Sequence, residues 1–167
     1  MIKDLEALVS RLHRSRSHVY NSIAGLSEAQ LVHPLPGGEW SLHDTLAHLA
    51  ANEELMTDLA YGIATGESTT LGEDFDNDKY NAESVAQRRN KPTNEVLDEM
   101  HNSREHLETL LEKVTPDQLT RHGEHPLQGW LTLKEFLVVM LAHEVTHGRE
   151  IEAQVRRIKQ ESKNTSN

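Results

Sequence analysis

Two histidines four residues apart carry the chemistry that this sequence shows most clearly. His143 and His147 lie in the segment LAHEVTHGREI, whose apolar spacing predicts a helix. Residues at positions i and i+4 project from the same face of a helix, so both imidazoles can bind one metal ion. Glu144 lies between them and is either a general base beside the metal or a solvated helix residue. The pattern therefore predicts a metal site with a carboxylate nearby.

The motif His-Glu-x-x-His also occurs in zinc proteases, but the residues that follow it in this chain do not fit that class of enzyme. The metzincin pattern needs a glycine three residues and a histidine six residues after the second histidine, where this chain has Glu150 and Ala153. A downstream glutamate ligand would need a further helix, and we find only a polar segment. A di-iron bundle is also disfavoured, because it needs two Glu-x-x-His motifs and only Glu144 with His147 fits.

A third ligand must then come from another helix, because a catalytic zinc or nickel site takes three protein ligands and leaves one position open. His48 is the best candidate, since it lies at the edge of an apolar stripe, where a buried polar group needs a partner. His43 is the rival, five residues earlier and about 140° away around the helix. We interpret the eight histidines other than His48, His143 and His147 as surface residues, and these eight include His43, His122 and His125.

Segments with helical spacing must position these side chains. The predicted long helices cover about 2–26, 41–66, 93–114 and 132–160, and no segment alternates like a strand. Capping boxes mark four helix starts, at Ser27, Ser41, Thr115 and Thr132. Asp44 either completes the box of Ser41 or orients His48, and we favour the cap.

The connection between the second and third long helices is unusually long and polar. Residues 67–92 form a predicted crossover or lid, in which NAESVAQRR has some helical character. These elements predict an all-α fold, a four-helix bundle with a long crossover between helices 2 and 3. We expect one domain over residues 1–160, followed by a polar tail over 161–167.

Composition limits the partners and the compartment. The formal net charge is −10, which disfavours nucleic acid and anionic membranes as partners. The chain has no cysteine, so disulfides, iron–sulfur clusters and a protein thiol nucleophile are excluded. We find no signal peptide and no apolar run long enough to cross a membrane, and we therefore expect a cytoplasmic protein.

Two segments resemble a known family. GEWSLHDTLAHLAANEE is similar to the Trp-Ser…His-Leu segment of the DinB-like superfamily, also known as the YfiT-type metalloenzymes, and LAHEVTHGREIEA resembles its His-x-x-x-His motif. The resemblance covers essentially the whole chain. The region NDKYNAESVAQRRNKPTNEVLDEMHNSRE is also similar to the mycothiol-dependent maleylpyruvate isomerase N-terminal domain, although this likeness is less specific than the histidines.

This resemblance implies a site and a function. His48, His143 and His147 would hold a divalent metal, zinc or nickel, and the protein would form a homodimer. A low-molecular-weight thiol of the bacillithiol, mycothiol or glutathione type would serve an S-transferase or isomerase that acts on a small electrophile. The lack of cysteine agrees, because the sulfur would come from a cofactor. The alternatives are a metal-dependent hydrolase of a small substrate and a non-enzymatic protein that binds a small molecule and confers resistance.

Overall fold

The computed structural model describes residues 2–34, 40–67, 71–72 and 74–165. The elements along these residues are α1 (Lys3–Ile23), α2 (Glu28–Leu31), α3 (Leu42–Thr65), α4 (Asn77–Arg88), α5 (Thr93–Lys113), α6 (Pro116–Leu119), β1 (His122–His125), β2 (Gly129–Thr132) and α7 (Leu133–Thr165). Within the described residues, no helix combines the length and the apolarity that crossing a membrane requires.

Local hydrogen bonds fix where the helices begin. At the start of α3, the Ser41 hydroxyl accepts from the Asp44 amide, and the Asp44 carboxylate accepts from the Ser41 amide, both at 3.1 Å. Reciprocal bonds of the same kind form at Ser27, Thr115 and Thr132, which confirms all four predicted capping boxes. The two bonds between Ser41 and Asp44 show that Asp44 completes the box of Ser41, and its carboxylate also accepts from Arg89 at 3.1 Å.

The four long helices α1, α3, α5 and α7 form the bundle. Helix α1 packs against α7, and α3 packs against both α5 and α7. Helix α4 lies in the crossover and packs on α3, where Val85 is buried. The predicted all-α bundle with a long connection between its second and third long helices is confirmed. Helix α7 continues to Thr165, past the predicted end near residue 160.

The segment after α6 differs from the prediction, because it forms a β-hairpin where we expected a loop. Strands β1 and β2 pair antiparallel, with His122 opposite Thr132 and His125 opposite Gly129. Each strand has four residues, which is too short for alternating polarity to appear in the sequence. Gly129 ends the turn with φ of 71°, in the region that glycine adopts without steric cost.

A layer of charged side chains divides the core of the bundle. Two clusters of buried apolar residues occupy its two ends. Between them each long helix contributes one buried charged residue, and we call these four residues the charged layer: Arg16, Glu53, Arg104 and Glu144. The metal-binding candidates lie beside this layer, since His143 directly precedes Glu144 in α7.

Candidate metal centre

Helices α3 and α7 bring His48, His143 and His147 together, and we call these three residues the histidine cluster. The Nε2 atoms of His48 and His143 are 3.1 Å apart, and each of the three residues offers a ligand atom within 4.8 Å of the others. In a tetrahedral zinc site with Zn–N bonds of about 2.0–2.1 Å, ligand nitrogens lie about 3.3 Å apart. The spacing of the cluster therefore fits a divalent ion.

The inner two histidines are in the uncharged form that binds metals. Burial, with a further contribution from nearby His147, lowers the pKa of His48 to about 4. Burial is also the main cause for His143, whose pKa is lowered to about 3 with contributions from His147, His48 and His125. Both imidazoles are therefore neutral at physiological pH, and a nitrogen lone pair is available to a metal.

Glu150 orients the third histidine, which the sequence prediction did not foresee. The Nδ1 atom of His147 lies 2.7 Å from Oε2 of Glu150. Because a carboxylate can only accept, Nδ1 of His147 donates to Glu150, and Nε2 is the ring nitrogen left for a metal. The spacing could have predicted this contact, because Glu150 lies three residues after His147 and residues three apart on a helix are neighbours. On the other side of the cluster, the Trp40 ring lies 5.2 Å from the His48 ring.

His43, the rival third ligand, does not join the cluster. Its Nδ1 lies 2.9 Å from the Thr93 hydroxyl, and its Nε2 lies 3.1 Å from the carbonyl oxygen of Arg88. Both ring nitrogens therefore have partners, and these contacts tie α3 to the end of the crossover. The expectation that His43 lies on the surface is wrong, because its side chain is buried.

A cavity of about 330 Å³ opens directly onto the histidine cluster. Its walls come from α3, from α4, from the hairpin turn and from α7, so the crossover and the hairpin both shape it. None of the described side chains that line it carries a formal charge, and besides histidines they are mainly carboxamide and apolar side chains: Asn52, Met56, Asn77, Asn81, Leu127, Gln128, Val139 and Met140. A metal held by the histidines would face this neutral cavity.

His125 also lines this cavity, so its assignment to the surface is wrong. Its side chain is only 8% exposed, and its ring packs 5.1 Å from the ring of Phe136. Its Nδ1 accepts from the backbone amides of Leu127 and Gln128, at 3.1 and 3.2 Å. No pattern in the sequence marked this residue, because its burial depends on the hairpin folding onto α7. His122 is exposed, as predicted.

Glu144 is neither solvated nor free. Its Oε2 accepts from Arg16 at 2.9 Å and from Arg104, and Glu53 accepts from the same two arginines at 2.6 Å each. Burial opposes the charge on Arg16, but the carboxylates of Glu53 and Glu144 outweigh burial and raise its pKa. The other oxygen of Glu144, Oε1, has no hydrogen-bond partner among the described residues, and both Glu144 and His143 border a cavity of about 10 Å³. The alternative of a solvated glutamate is thus wrong.

The comparisons with solved structures show the same fold at low sequence identity. The mycothiol-dependent maleylpyruvate isomerase superposes with a TM-score of 0.73 and 16% identity, over 88% of this chain and 60% of that one. YfiT from Bacillus subtilis, described as a probable metal-dependent hydrolase with an unusual four-helix bundle topology, gives a TM-score of 0.78 and 19% identity, over 95% of this chain and 90% of YfiT.

A third similar structure is the colibactin self-resistance protein ClbS, solved in complex with a dsDNA. It superposes with a TM-score of 0.68 and 15% identity, over 95% of both chains. No curated protein sequence matches this chain significantly. This chain spans about 60% of the length of the isomerase. The family model of the DinB superfamily matches residues 11–151, which is most of the chain. The protein belongs to the DinB superfamily.

Proposed function

We propose that this protein is a metal-dependent S-transferase or isomerase that uses a low-molecular-weight thiol to act on a small electrophile. The observation that carries the proposal is the convergence of three histidines on one wall of a neutral cavity. A zinc or nickel ion held by three neutral imidazoles keeps its full charge and lowers the pKa of a thiol or water in its open position. The chain has no cysteine, so the sulfur would come from the cofactor.

The histidines, Glu150 and the carboxamides of the cavity each have a role in this proposal. His48, His143 and His147 hold the metal, and Glu150 keeps the Nε2 lone pair of His147 directed toward it. The carboxamides of the cavity both donate and accept hydrogen bonds. They therefore suit the amides and hydroxyls that thiol cofactors carry, and the carboxylates of glutathione or bacillithiol would lie outside this uncharged lining.

Glu144 is a candidate proton acceptor within this proposal. Its Oε2 is occupied by two guanidinium groups, so only Oε1 is available to take a proton. The small cavity that Glu144 shares with His143 has room for about one water molecule, which could connect the two residues. A Glu144→Gln variant tests this role, because a general base contributes about 10²- to 10⁴-fold to the rate.

Hydrolysis of a small substrate is the second candidate function. A cavity of about 330 Å³ is near the lower end for ligand sites, and water needs far less of it than a thiol cofactor does. The description of YfiT as a probable metal-dependent hydrolase supports this alternative. The similarity to a self-resistance protein supports the third possibility, which is binding of a small molecule without turnover.

Metal analysis and thiol dependence test the proposal together. We expect about one zinc or nickel ion per chain by mass spectrometry of the purified protein. The metal-loaded protein should then conjugate 1-chloro-2,4-dinitrobenzene with glutathione, bacillithiol or mycothiol. The His143→Ala variant should lose both the metal and the activity. The His101→Ala variant is the matched control, since this exposed histidine on α5 lies outside the cluster and should change neither.

The outcomes separate the three functions. Turnover of 4-nitrophenyl acetate without any thiol, combined with no conjugation, would favour the hydrolase. Metal binding without either activity would favour the binding protein. A metal-free protein whose melting temperature does not respond to zinc or nickel, in the wild type as in His143→Ala, would refute the metal centre itself.

The partners and the compartment belong to the same proposal. We propose a homodimer in the cytoplasm that acts on a small molecule and binds neither membrane nor nucleic acid. The net charge of −10 supports the last point, since it repels phosphate backbones. The ClbS structure contains a dsDNA, so a mobility-shift assay at low salt is the direct test. Light scattering after size exclusion tests the dimer.

A further inference from the structure

We propose that His125 binds the substrate directly, by donating a hydrogen bond from its Nε2–H to a neutral carbonyl-type oxygen in the cavity. This inference rests on the proposed function in one respect, since it takes the cavity beside the histidine cluster as the substrate site. It assigns a role to the hairpin and it names a substrate class. No proton is transferred, because the imidazole stays neutral and its hydrogen remains on Nε2.

The hydrogen-bond pattern fixes the tautomer of His125. Its Nδ1 accepts from two backbone amides, those of Leu127 and Gln128. A hydrogen on Nδ1 would point at two N–H donors, so Nδ1 carries a lone pair and Nε2 carries the hydrogen. Burial lowers the pKa of His125, which disfavours the doubly protonated ring as well. The turn therefore holds the imidazole as a neutral donor with one N–H left to use.

That remaining N–H has no partner within the described part of the chain. The residue as a whole is 8% exposed, and its side chain lines the cavity that also contains the histidine cluster. A ligand that supplies an acceptor to this N–H gains one hydrogen bond in the cavity. The geometry thus presents a fixed donor to whatever molecule the cavity binds.

The composition of the cavity indicates the charge of that molecule. The described side chains that line it include four carboxamides and no arginine or lysine. In the proposed function, the thiol takes the open position of the metal. A carboxylate or phosphate beside His125 would then lose its water without gaining an arginine or lysine partner, which is costly. A neutral compound with a carbonyl, amide or ester oxygen satisfies both the His125 donor and the carboxamides. The inferred class is therefore a neutral electrophile that carries such an oxygen.

Two substitutions distinguish the Nε2–H donor of His125 from its Nδ1 acceptor, which holds the hairpin turn. Asparagine places its side-chain oxygen near the position of Nδ1, so His125→Asn keeps an acceptor for the two backbone amides and removes the Nε2 donor. Glutamine places its amide nitrogen near the position of Nε2, so His125→Gln keeps a donor and removes that acceptor. If His125 serves the turn alone, only the glutamine variant should be impaired.

The test uses the zinc-loaded full chain and two unreactive probes, cyclohexanone and cyclohexene. Long-range ¹H–¹⁵N spectra of the free protein should show the hydrogen of His125 on Nε2. Cyclohexanone should then shift the Nε2 resonance in a saturable way, while cyclohexene at equal concentration should not. The affinity for cyclohexanone should fall about threefold to tenfold in His125→Asn and less in His125→Gln, because one hydrogen bond is lost.

Each other result overturns the inference. The inference is wrong if the spectra place the hydrogen of His125 on Nδ1, or if both probes shift the Nε2 resonance equally. It is also wrong if cyclohexanone gives no saturable shift at 50 mM, roughly the weakest binding expected for one such contact. Unchanged affinity for cyclohexanone in His125→Asn would overturn it as well. Neither probe needs a thiol or turnover. Failure of thiol-dependent activity with an intact cyclohexanone response would therefore refute the proposed function and leave the role of His125 standing.

Discussion

The histidine cluster and the charged layer are neighbouring polar regions that share helices α3 and α7, yet their polar groups are satisfied in opposite ways. In the charged layer, two arginines and two glutamates neutralise one another inside the bundle. In the histidine cluster, the inner rings are neutral, and their closest polar contact is the 3.1 Å approach of His48 and His143 to each other. The charged layer is held together by ion pairs within the chain, whereas the histidine cluster presents ring nitrogens to a ligand from outside.

This difference separates a structural polar site from a binding site. Buried charges are tolerated when partners and hydrogen bonds compensate for the lost water, as in the charged layer. Imidazole nitrogens that converge beside a cavity are not compensated in this way, and a metal cation can bind them together. Adjacent residues of α7, His143 and Glu144, thus face two different environments.

The largest expected effect of a single substitution comes from breaking the charged layer. Glu53→Ala leaves Arg16 and Arg104 with one carboxylate between them, and the free energy of unfolding should fall by about 3–5 kcal/mol. The matched control is Glu54→Ala, the next residue along α3, whose ion pair with Arg88 is exposed and contributes about 1 kcal/mol or less. Urea denaturation measures both variants.

The metal content of the Glu53 variants tests whether the charged layer and the histidine cluster have separate roles. If Glu53→Ala folds too poorly to be purified, Glu53→Gln can be measured instead, because glutamine keeps the size of the side chain and removes its charge. Either variant should still bind zinc once folded, because Glu53 is not in the histidine cluster. Equal losses of stability in Glu53→Ala and Glu54→Ala would contradict the view that the charged layer holds the bundle together.

The next effect is a loss of stability in acid that comes from the histidine cluster. In the metal-free protein, the pKa values of about 4 for His48 and about 3 for His143 lie below the ordinary 6.5 of the unfolded chain. Below pH 6.5 the unfolded state therefore binds more protons, so this stability is complete above pH 6.5 and is lost as the pH falls.

The expected slope is roughly 1.4 kcal/mol per pH unit for each histidine, between about pH 6.5 and pH 4.5. Chemical denaturation of chelator-treated protein at several pH values measures it. His143→Leu should remove about half of the slope, whereas His101→Ala should leave it unchanged. A flat profile down to pH 5 would show that the two rings are not buried as neutral groups.

The smallest expected effect is a loss of zinc affinity when Glu150, at the edge of the histidine cluster, is replaced. Glu150→Ala removes the acceptor that orients His147, and the affinity for zinc should fall about tenfold to a hundredfold. Competition with a chromogenic chelator measures it. Glu152→Ala is the control on the same helix, since Glu152 contacts His18 and Arg156 instead. A similar fall in both variants would point to a general charge effect.

Local patterns made most of the fold predictable. The four capping boxes, the long helices and the crossover all follow from residues within a few positions of one another. The pair His143 and His147 was predictable for the same reason, and His48 followed from its place on an apolar face of α3. The hairpin was missed, because its strands are too short to show a period.

The sequence by itself determined the helices, their caps and the candidate metal ligands, because helical period and capping hydrogen bonds act within one or two turns. Only the tertiary structure decided which polar groups meet across helices. Arg16 and Glu144 are 128 residues apart in the chain and 2.9 Å apart in the fold. His125 reaches the cavity only because the hairpin packs on α7. Such contacts depend on how helices are rotated and aligned against each other, and that is set by the packing of the whole core.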